Sequence, residues 1–239
     1  MLKLYQQKIR MSAIELVTQY GGRYAEALGI DLLSGKSAEI YKWFLAAILF
    51  GARISEAIAI KTYREFVLAG VITPQDVVNR GWNGLVEVLD RGGYVRYDFK
   101  TATKLLQVNQ TLLTRYGGDL NLLCDQANDL ASLEQSIREL GKGIGVITVN
   151  IFLREMRGLW PLAEAQPAAI VIEAAKALGY VPENLQNEAH VLALLKTKWQ
   201  EEGMPLKHFA DFEAALVRYG KKLRKAARRE KVGVNSEGH

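Results

Sequence analysis

A turn with three glycines separates two helical patterns, and it constrains this chain more than any other feature of the sequence. Gly141, Gly143 and Gly145 lie between a helix predicted over 132–140, which opens with a capping box, and a helix predicted over 146–157 from its apolar spacing. Glycine tolerates positive φ and leaves its backbone amide uncovered. Because amides at a helix N-terminus attract anions, the sequence predicts a tight turn that holds a phosphate.

The rest of the chain is also patterned as helices. Its 239 residues are 49% apolar, which is enough for one large core or two modest ones. The apolar segment 168–178 could form a buried strand, but its length and alanine content favour a helix. Thr73-Pro74 predicts an N-cap followed by the first residue of a helix. We therefore predict an all-α protein, with further helices near residues 5–20, 36–50, 55–69, 81–90, 98–116, 185–201 and 205–230.

Positive charge is concentrated near the end of the sequence. The chain has a formal net charge of +5, and the segment 221–231 alone carries +6, from seven basic residues and one acidic residue. Such a segment favours phosphate backbones and makes binding salt-dependent. Lys221, Lys222, Arg224 and Lys225 are therefore candidate contacts to a nucleic-acid backbone. The alternative is a solvated helix that carries these charges without a partner.

Composition excludes several classes of protein. The one cysteine, Cys124, allows neither an internal disulfide nor a four-cysteine iron–sulfur cluster. His190 and His208 have no cysteine or acidic partner at metal-ligand spacing, so no zinc site is expected. No apolar run is long enough for a membrane span, and the first residues lack the apolar core of a signal peptide. We therefore expect a cytoplasmic protein without a metal cofactor.

The glycines of the turn belong to a longer pattern. Gly143-Ile144-Gly145 followed by Thr148 matches the Gly-hydrophobic-Gly and the threonine of a helix-hairpin-helix motif. Several segments before the turn fit, in order and in spacing, the helices and loops that precede this motif in one family. These segments are 45–56, 71–76, 85–89, 92–94, 101–105 and 116–120. Over roughly residues 40–180 the chain thus resembles the base-excision DNA glycosylases of the endonuclease III superfamily.

The resemblance implies two helical lobes with a cleft between them that receives the target base. Residues 30–145 would form a central lobe that ends in the hairpin, and residues 1–29 with 146–239 would form a second lobe with the basic C-terminal tail. The implied partner is double-stranded DNA, with no membrane, and the protein would associate with the nucleoid. Hairpins of this family also hold a monovalent cation through backbone carbonyls, which is the one cofactor that the resemblance leaves open here.

The same resemblance assigns DNA contacts to the hairpin and to one earlier loop. Lys142, Gly143, Gly145 and Thr148 are expected to contact backbone phosphate. Arg53 falls where the family has a polar residue that fills the gap left by a flipped base. The alternative for Arg53 is an ordinary capping or surface arginine.

Two positions of the family's chemistry differ in this chain. Ile147 occupies the position of the lysine nucleophile found in bifunctional members, so no AP lyase activity is expected. The catalytic aspartate would fall at residues 165–167, which are Ala, Gln and Pro. Glu164 is the adjacent carboxylate and becomes the candidate for stabilising the cationic sugar or activating water. The alternative is a surface glutamate.

A few other residues near the implied cleft have two interpretations. Arg154 and Arg157, with Glu155, either line the cleft or form a structural ion pair. The four tryptophans fit core positions, and Trp160 is the one to consider for stacking on a base.

Taken together, the residues and the resemblance predict a monofunctional DNA glycosylase, a hydrolase that removes a damaged or mismatched base. A non-catalytic DNA-binding module with the same fold is the main alternative. An all-α interaction protein, in which the glycines only shape a turn, is the third.

Overall fold

The structure is a computed structural model that describes residues 11–236, with side chains as far as Arg229. The helix predicted near 5–20 therefore begins outside the described residues, and Ala13–Tyr20 is the part that is seen. None of the helices in the described part has the combination of length and apolar character that a membrane crossing requires.

The chain is all-α over the described range, as predicted. Two single 3-10 turns, Leu32–Ser34 and Leu206–His208, accompany the α-helices. The α-helices are α1 (Ala13–Tyr20), α2 (Tyr24–Ala27), α3 (Ser37–Phe50), α4 (Glu56–Leu68), α5 (Pro74–Gly92), α6 (Asp98–Tyr116), α7 (Leu120–Asp125), α8 (Leu130–Arg138), α9 (Val146–Met156), α10 (Ala169–Ala177), α11 (Glu188–Glu201) and α12 (Phe209–Ser236).

Capping residues predicted from the sequence lie at the observed ends of two helices. Thr73 caps α5 through a capping box with Asp76, and Pro74 is the first helical residue. The apolar segment at 168–178 is the helix α10, and Gly179 follows its C-cap with a φ of 72°. In each case a side chain or a glycine satisfies the backbone at the helix end in the way that the sequence indicates.

Helix α8 begins earlier than the sequence suggested, and α5 is longer. The capping box of α8 is formed by Asp129 and Ser132, so Ser132 is the third helical residue rather than the cap. The Asp129 carboxylate accepts a hydrogen bond from the Ser132 amide at 2.7 Å, and the Ser132 hydroxyl accepts one from the Asp129 amide at 3.0 Å. The helix predicted to start at Pro74 and the helix predicted near 81–90 are continuous in α5, and Gly81 marks the point between them with φ 68° and ψ 171°, a conformation that favours glycine.

The chain forms two compact units, which we call the central unit (residues 25–165) and the terminal unit (residues 11–24 and 166–236). The sequence-based division instead changes lobes at 29/30 and 145/146, which assigns α9 to the second lobe. In the structure α9 packs on α3 of the central unit, where the Trp43 indole donates to the Phe152 carbonyl at 3.1 Å and Phe44 meets Phe152 edge-on at 5.1 Å.

Helix α3 is the centre of the central unit. Nine of its fourteen residues are buried, from Ile40 to Leu49, so the helix is covered on all sides by α4, α7 and α9. Its C-cap is Gly51, and a Cβ there would overlap the Thr148 side chain of α9. The end of the central helix is thereby held directly against the start of α9.

The terminal unit is built around α12, which packs on α1 and α10. Phe212 of α12 stacks on Trp199 of α11 with ring centroids 5.5 Å apart. Gly220 lets α12 approach α10 closely, since a Cβ there would lie 2.7 Å from the Ile170 carbonyl oxygen. Residues 221–229 of the same helix, nearly all of them exposed, carry the described part of the basic segment.

Gly92 sets the spacing of α4 and α5, and its replacement gives a test of this packing. In Gly92→Ala the new Cβ would lie 2.5 Å from the Thr62 Cα, a backbone atom that cannot move aside. We expect the free energy of unfolding to fall by about 1–3 kcal/mol, as for other overpacked cores. Urea denaturation measures the change.

Gly84→Ala is the matched control on the same helix. Its added Cβ would meet only the Arg80 side chain, 2.8 Å from Nε, and this exposed chain can move away. Alanine is the better helix former by about 1 kcal/mol, so no loss of stability is expected. Equal stability of the Gly92→Ala variant and the parent would contradict the assignment.

Candidate nucleic-acid interface

The three glycines of the turn between α8 and α9 have different roles. Only Gly143 has a positive φ, of 92°, whereas the sequence suggested this freedom for all three. Gly141 is needed for close packing, because a Cβ there would lie 2.6 Å from the Val108 Cγ2 of α6. Gly145 is the N-cap of α9 in an extended conformation, and a Cβ there would have nothing within 4 Å.

The turn is fixed to the body of the central unit at several points. The Lys142 amide donates to the Gln107 Oε1 of α6 at 3.2 Å, and the Ile144 side chain is buried. Thr148, an expected DNA contact, is also buried and lies against Gly51, so its side chain holds α9 to the end of α3. These contacts join the turn to α6 on one side and to the end of α3 on the other.

The first turn of α9 is open to an anion. No side chain caps it, and the first hydrogen bond within the helix runs from the Val149 amide to the Gly145 carbonyl at 3.1 Å. Val146 and Ile147, the next two residues, are 68% and 67% exposed. The N–H groups of a first turn have no partner inside a helix, so this end favours an anionic ligand.

A basic groove lies beside the turn within the central unit. It has a volume of about 890 Å³ and lies between the loop after α3, the N-terminal half of α6 and the turn itself. Four cationic side chains line it, those of Arg53, Lys100, Lys104 and Lys142, and no acidic residue does. Among the described residues, none of the four forms a salt bridge, so the groove keeps its positive charge. We refer to it as the α6 groove.

Lys104 is the most enclosed of these four cations. It is half-buried, and a Cβ on Gly143 would lie 3.0 Å from its Cε and 3.7 Å from its Nζ. Burial lowers the pKa of the Lys104 ammonium below its ordinary value, because the charged form loses solvation. The missing side chain of Gly143 thus gives room to the lysine as well as to the turn.

Sequence reasoning identified Arg53 and Lys142 but missed Lys100 and Lys104. The spacing of Lys100 and Lys104 could have identified them, because residues four apart lie on one face of a helix and two lysines there form a positive surface. A second signal was the absence of any acidic residue from 99 to 118.

The aromatic residues near the groove differ from expectation. Trp82, expected in the core, is 38% exposed, and its ring centroid lies 5.2 Å from that of Phe99, which is 58% exposed and lines the groove. Trp160, considered for base stacking, is instead 5% exposed, with its indole N–H bonded to Asn121 at 2.9 Å and its ring edge-on to Phe152. The exposed aromatic surface is therefore at Phe99 and Trp82.

Glu164 lies next to a buried arginine. Arg157 is buried and donates to the carbonyls of Ala163 and Ala165, and its Nη1 lies 3.7 Å from the Glu164 Oε2. The Glu164 side chain is 44% exposed. Its carboxylate is thus accessible to solvent and at the same time paired with a cation that also fixes the backbone on both sides of it.

Arg154 and Glu155 have structural contacts. Both are buried, their charged groups are 3.9 Å apart, and the Glu155 Oε2 accepts a hydrogen bond from the Ala25 amide at 2.8 Å. Of the two interpretations, the structural one fits these contacts.

Three of the four candidate cations on α12 have partners within the terminal unit. Lys221 donates to the Tyr24 hydroxyl at 3.3 Å, and Lys222 donates to the Tyr20 hydroxyl at 3.0 Å. The Arg224 guanidinium makes a bidentate contact with the Glu173 carboxylate, with Nη2 donating to Oε1 at 2.7 Å and Nε to Oε2 at 2.8 Å. These hydrogen bonds lower the pKa of the Glu173 carboxyl. Lys225 is exposed.

Within residues 11–229, no three His, Cys, Asp or Glu side chains are close enough together to hold a metal ion. Comparison of the sequence with models of known protein families and with curated proteins finds no match.

The enclosure of Lys104 gives a prediction about pH. Below its lowered folded-state pKa the lysine is charged in both states, and folding removes solvation from it, so Lys104→Met should be more stable than the parent at neutral pH. Between the folded and unfolded pKa values the unfolded chain binds more protons, so the parent gains stability as pH rises. The advantage of the variant should therefore shrink toward pH 10.

Urea unfolding of both proteins from neutral to alkaline pH measures this difference. Lys100→Met is the matched control, because it removes the same charge from the same groove at an exposed position. A difference between parent and Lys104→Met that grows with pH would show that the lysine is not enclosed in this way.

Proposed function

We propose that this protein binds double-stranded DNA through the phosphate backbone, as a protein of the base-excision glycosylase type. The observation that carries the proposal is the α6 groove, which is lined by four cations and no acidic residue and reaches the glycine turn that leads into the uncapped start of α9. Lysine and arginine beside open helical amides form a site for phosphate, and such contacts position a duplex without reading its sequence. The turn is then the hairpin of a helix-hairpin-helix motif.

The resemblance in sequence supports the same proposal from a second direction. Of the matched residues, Gly143 lines the groove, and Gly145 and Thr148 follow it in the sequence. A cleft for the target base and a monovalent cation on the hairpin carbonyls also belong to this proposal and rest on the resemblance. Removal of a base would then be hydrolytic, with Glu164 as the carboxylate that acts on the sugar.

A non-catalytic DNA-binding module is the second candidate, and the surroundings of Glu164 favour it. Its carboxylate lies 3.7 Å from the Arg157 guanidinium, which reduces the negative charge available to a cationic sugar. Ile147 supplies no nucleophile. Both candidates require the same phosphate contacts, so binding and base release are tested separately.

Gly145→Asp should weaken DNA binding without harming the fold. The new side chain enters open space at an N-cap, where aspartate is a favoured residue, so the free energy of unfolding should be unchanged or higher by roughly a few tenths of a kcal/mol. Its carboxylate would occupy the phosphate position, and the loss of charge-assisted hydrogen bonds should lower the affinity about tenfold or more. Fluorescence anisotropy with a labelled duplex at low salt measures this change.

Gly145→Ala is the control for this substitution. Its Cβ has nothing within 4 Å, and it adds no charge. The alanine variant should bind DNA nearly as the parent does. Parent-like affinity of Gly145→Asp would exclude the hairpin as the anchor.

The basic part of α12 should contribute to the salt dependence of binding. Each phosphate contact adds about 0.9 to the slope of log affinity against log salt. The double substitution Lys222→Gln with Lys225→Gln should therefore flatten the slope by up to about 1.8. Lys61→Gln, on the exposed face of α4, is the control. An unchanged slope would place this part of α12 away from DNA.

Base release distinguishes the two candidates. Duplexes that carry a panel of damaged or mismatched bases are screened for free base, and Glu164→Gln should lower any activity about a hundredfold. Because Arg157 keeps its bonds to two backbone carbonyls, this variant should remain folded. Borohydride should trap no covalent adduct on abasic DNA. Firm binding without release from any duplex would favour the non-catalytic module.

A further inference from the structure

The α6 groove combines two kinds of surface that a fully paired duplex cannot use together. Toward the glycine turn it presents the cations of Lys104 and Lys142, and at the start of α6 it presents the ring of Phe99. In a paired duplex the phosphates are accessible, but the faces of the bases are covered by their stacked neighbours. The aromatic part of the groove therefore has no partner in such a duplex.

The aromatic surface is held in place rather than loosely exposed. The Trp82 indole N–H donates to the Thr103 hydroxyl at 3.0 Å, and the Thr103 hydroxyl in turn donates to the Phe99 carbonyl at 2.9 Å. The centroid of the Trp82 ring lies 5.2 Å from that of Phe99, with the two planes inclined by 39°. The two exposed aromatic rings are thus neighbours, with Phe99 lining the cavity and Trp82 fixed by its hydrogen bond to Thr103, as in a stacking platform.

The volume, the positive charge and the aromatic ring of the groove indicate which class of ligand fits it. About 890 Å³ lies within the range of sites that enclose small organic molecules. The four cations require an anion, and an exposed phenyl ring favours the face of a planar ring. A nucleotide carries both groups on one molecule. An acidic peptide would supply only the anion.

We propose that the α6 groove receives an unpaired nucleotide of the bound DNA, with its base stacked on Phe99 and the adjacent phosphates on Lys142 and Lys104. This inference rests on the proposed DNA binding and adds the kind of DNA that is preferred. A duplex with a bulged nucleotide offers a free base face together with a continuous backbone, so it uses both parts of the groove.

The test compares two labelled duplexes that differ by one bulged nucleotide, with the full chain at fixed salt. Stacking of one base on an aromatic side chain should make the bulged duplex bind about five- to 150-fold more tightly than the paired duplex. Phe99→Ala should bring the ratio of the two affinities close to one, and Phe99→Tyr should keep it. Val95→Ala removes an exposed apolar side chain outside the groove and should leave the ratio unchanged.

Tryptophan fluorescence gives a second measurement. Trp43, Trp160 and Trp199 are buried, so quenching by the bulged duplex should come from Trp82 and disappear in Trp82→Phe. Binding of both duplexes with equal affinity would overturn this inference while the proposed DNA binding stands. Binding of neither duplex would overturn both. Competition by poly-glutamate as strong as that by the bulged duplex would identify the groove as a site for acidic peptides.

Discussion

The close approach of three backbone segments is the constraint on which the candidate site depends. Gly141 lies against Val108 of α6, and Gly51 at the end of α3 lies against Thr148 of α9. Neither contact leaves room for a side chain on the glycine. Because α3 is covered on all sides, its end is fixed by the core, and the turn and α6 are fixed in relation to it. The groove is thus bordered by segments of backbone rather than by long side chains alone.

The sequence predicted those parts of the fold that are determined locally. Both ends of helix α6 were predicted at the observed residues. Thr73, Pro74 and Gly179 marked the ends of α5 and α10, because a capping residue acts on backbone groups within a few residues of itself. The roles of Gly141 and Gly145 could not be predicted from the sequence in the same way. A glycine required by a distant side chain, such as Val108, has the same sequence appearance as one required by its own φ.

The candidate site was predicted only in part for the same reason. Lys142 and Arg53 were found from the glycine pattern and the resemblance, whereas the Lys100–Phe99 end of the groove depends on which face of α6 is left uncovered. Trp82 looked like a core residue from its apolar surroundings in the sequence, but it is exposed and directly follows the interruption of α5 at Gly81. Trp160 looked accessible, and its contacts with Phe152 and Asn121 come from residues far apart in the sequence.

The cations of the two units differ in whether they have partners within the protein. On α12 the basic residues are dense in the sequence, but Lys221, Lys222 and Arg224 already have tyrosine or glutamate partners. In the α6 groove the cations are sparse in the sequence and come together only in the folded chain. Charge density along a sequence is therefore a weaker guide to an anion site than the absence of partners around it.

The exposure of Ile147 has a consequence for redesign of this protein. Its side chain is two-thirds exposed on the first turn of α9, beside an N-cap with open space around it, and the core packing of this helix is made by other residues, including Val149 and Phe152. Surface positions of this kind accept most substitutions at little cost in stability. The position is thus an available attachment point where a reactive amine, a photocrosslinking side chain or a spin label could be introduced beside the anion site without rebuilding the core.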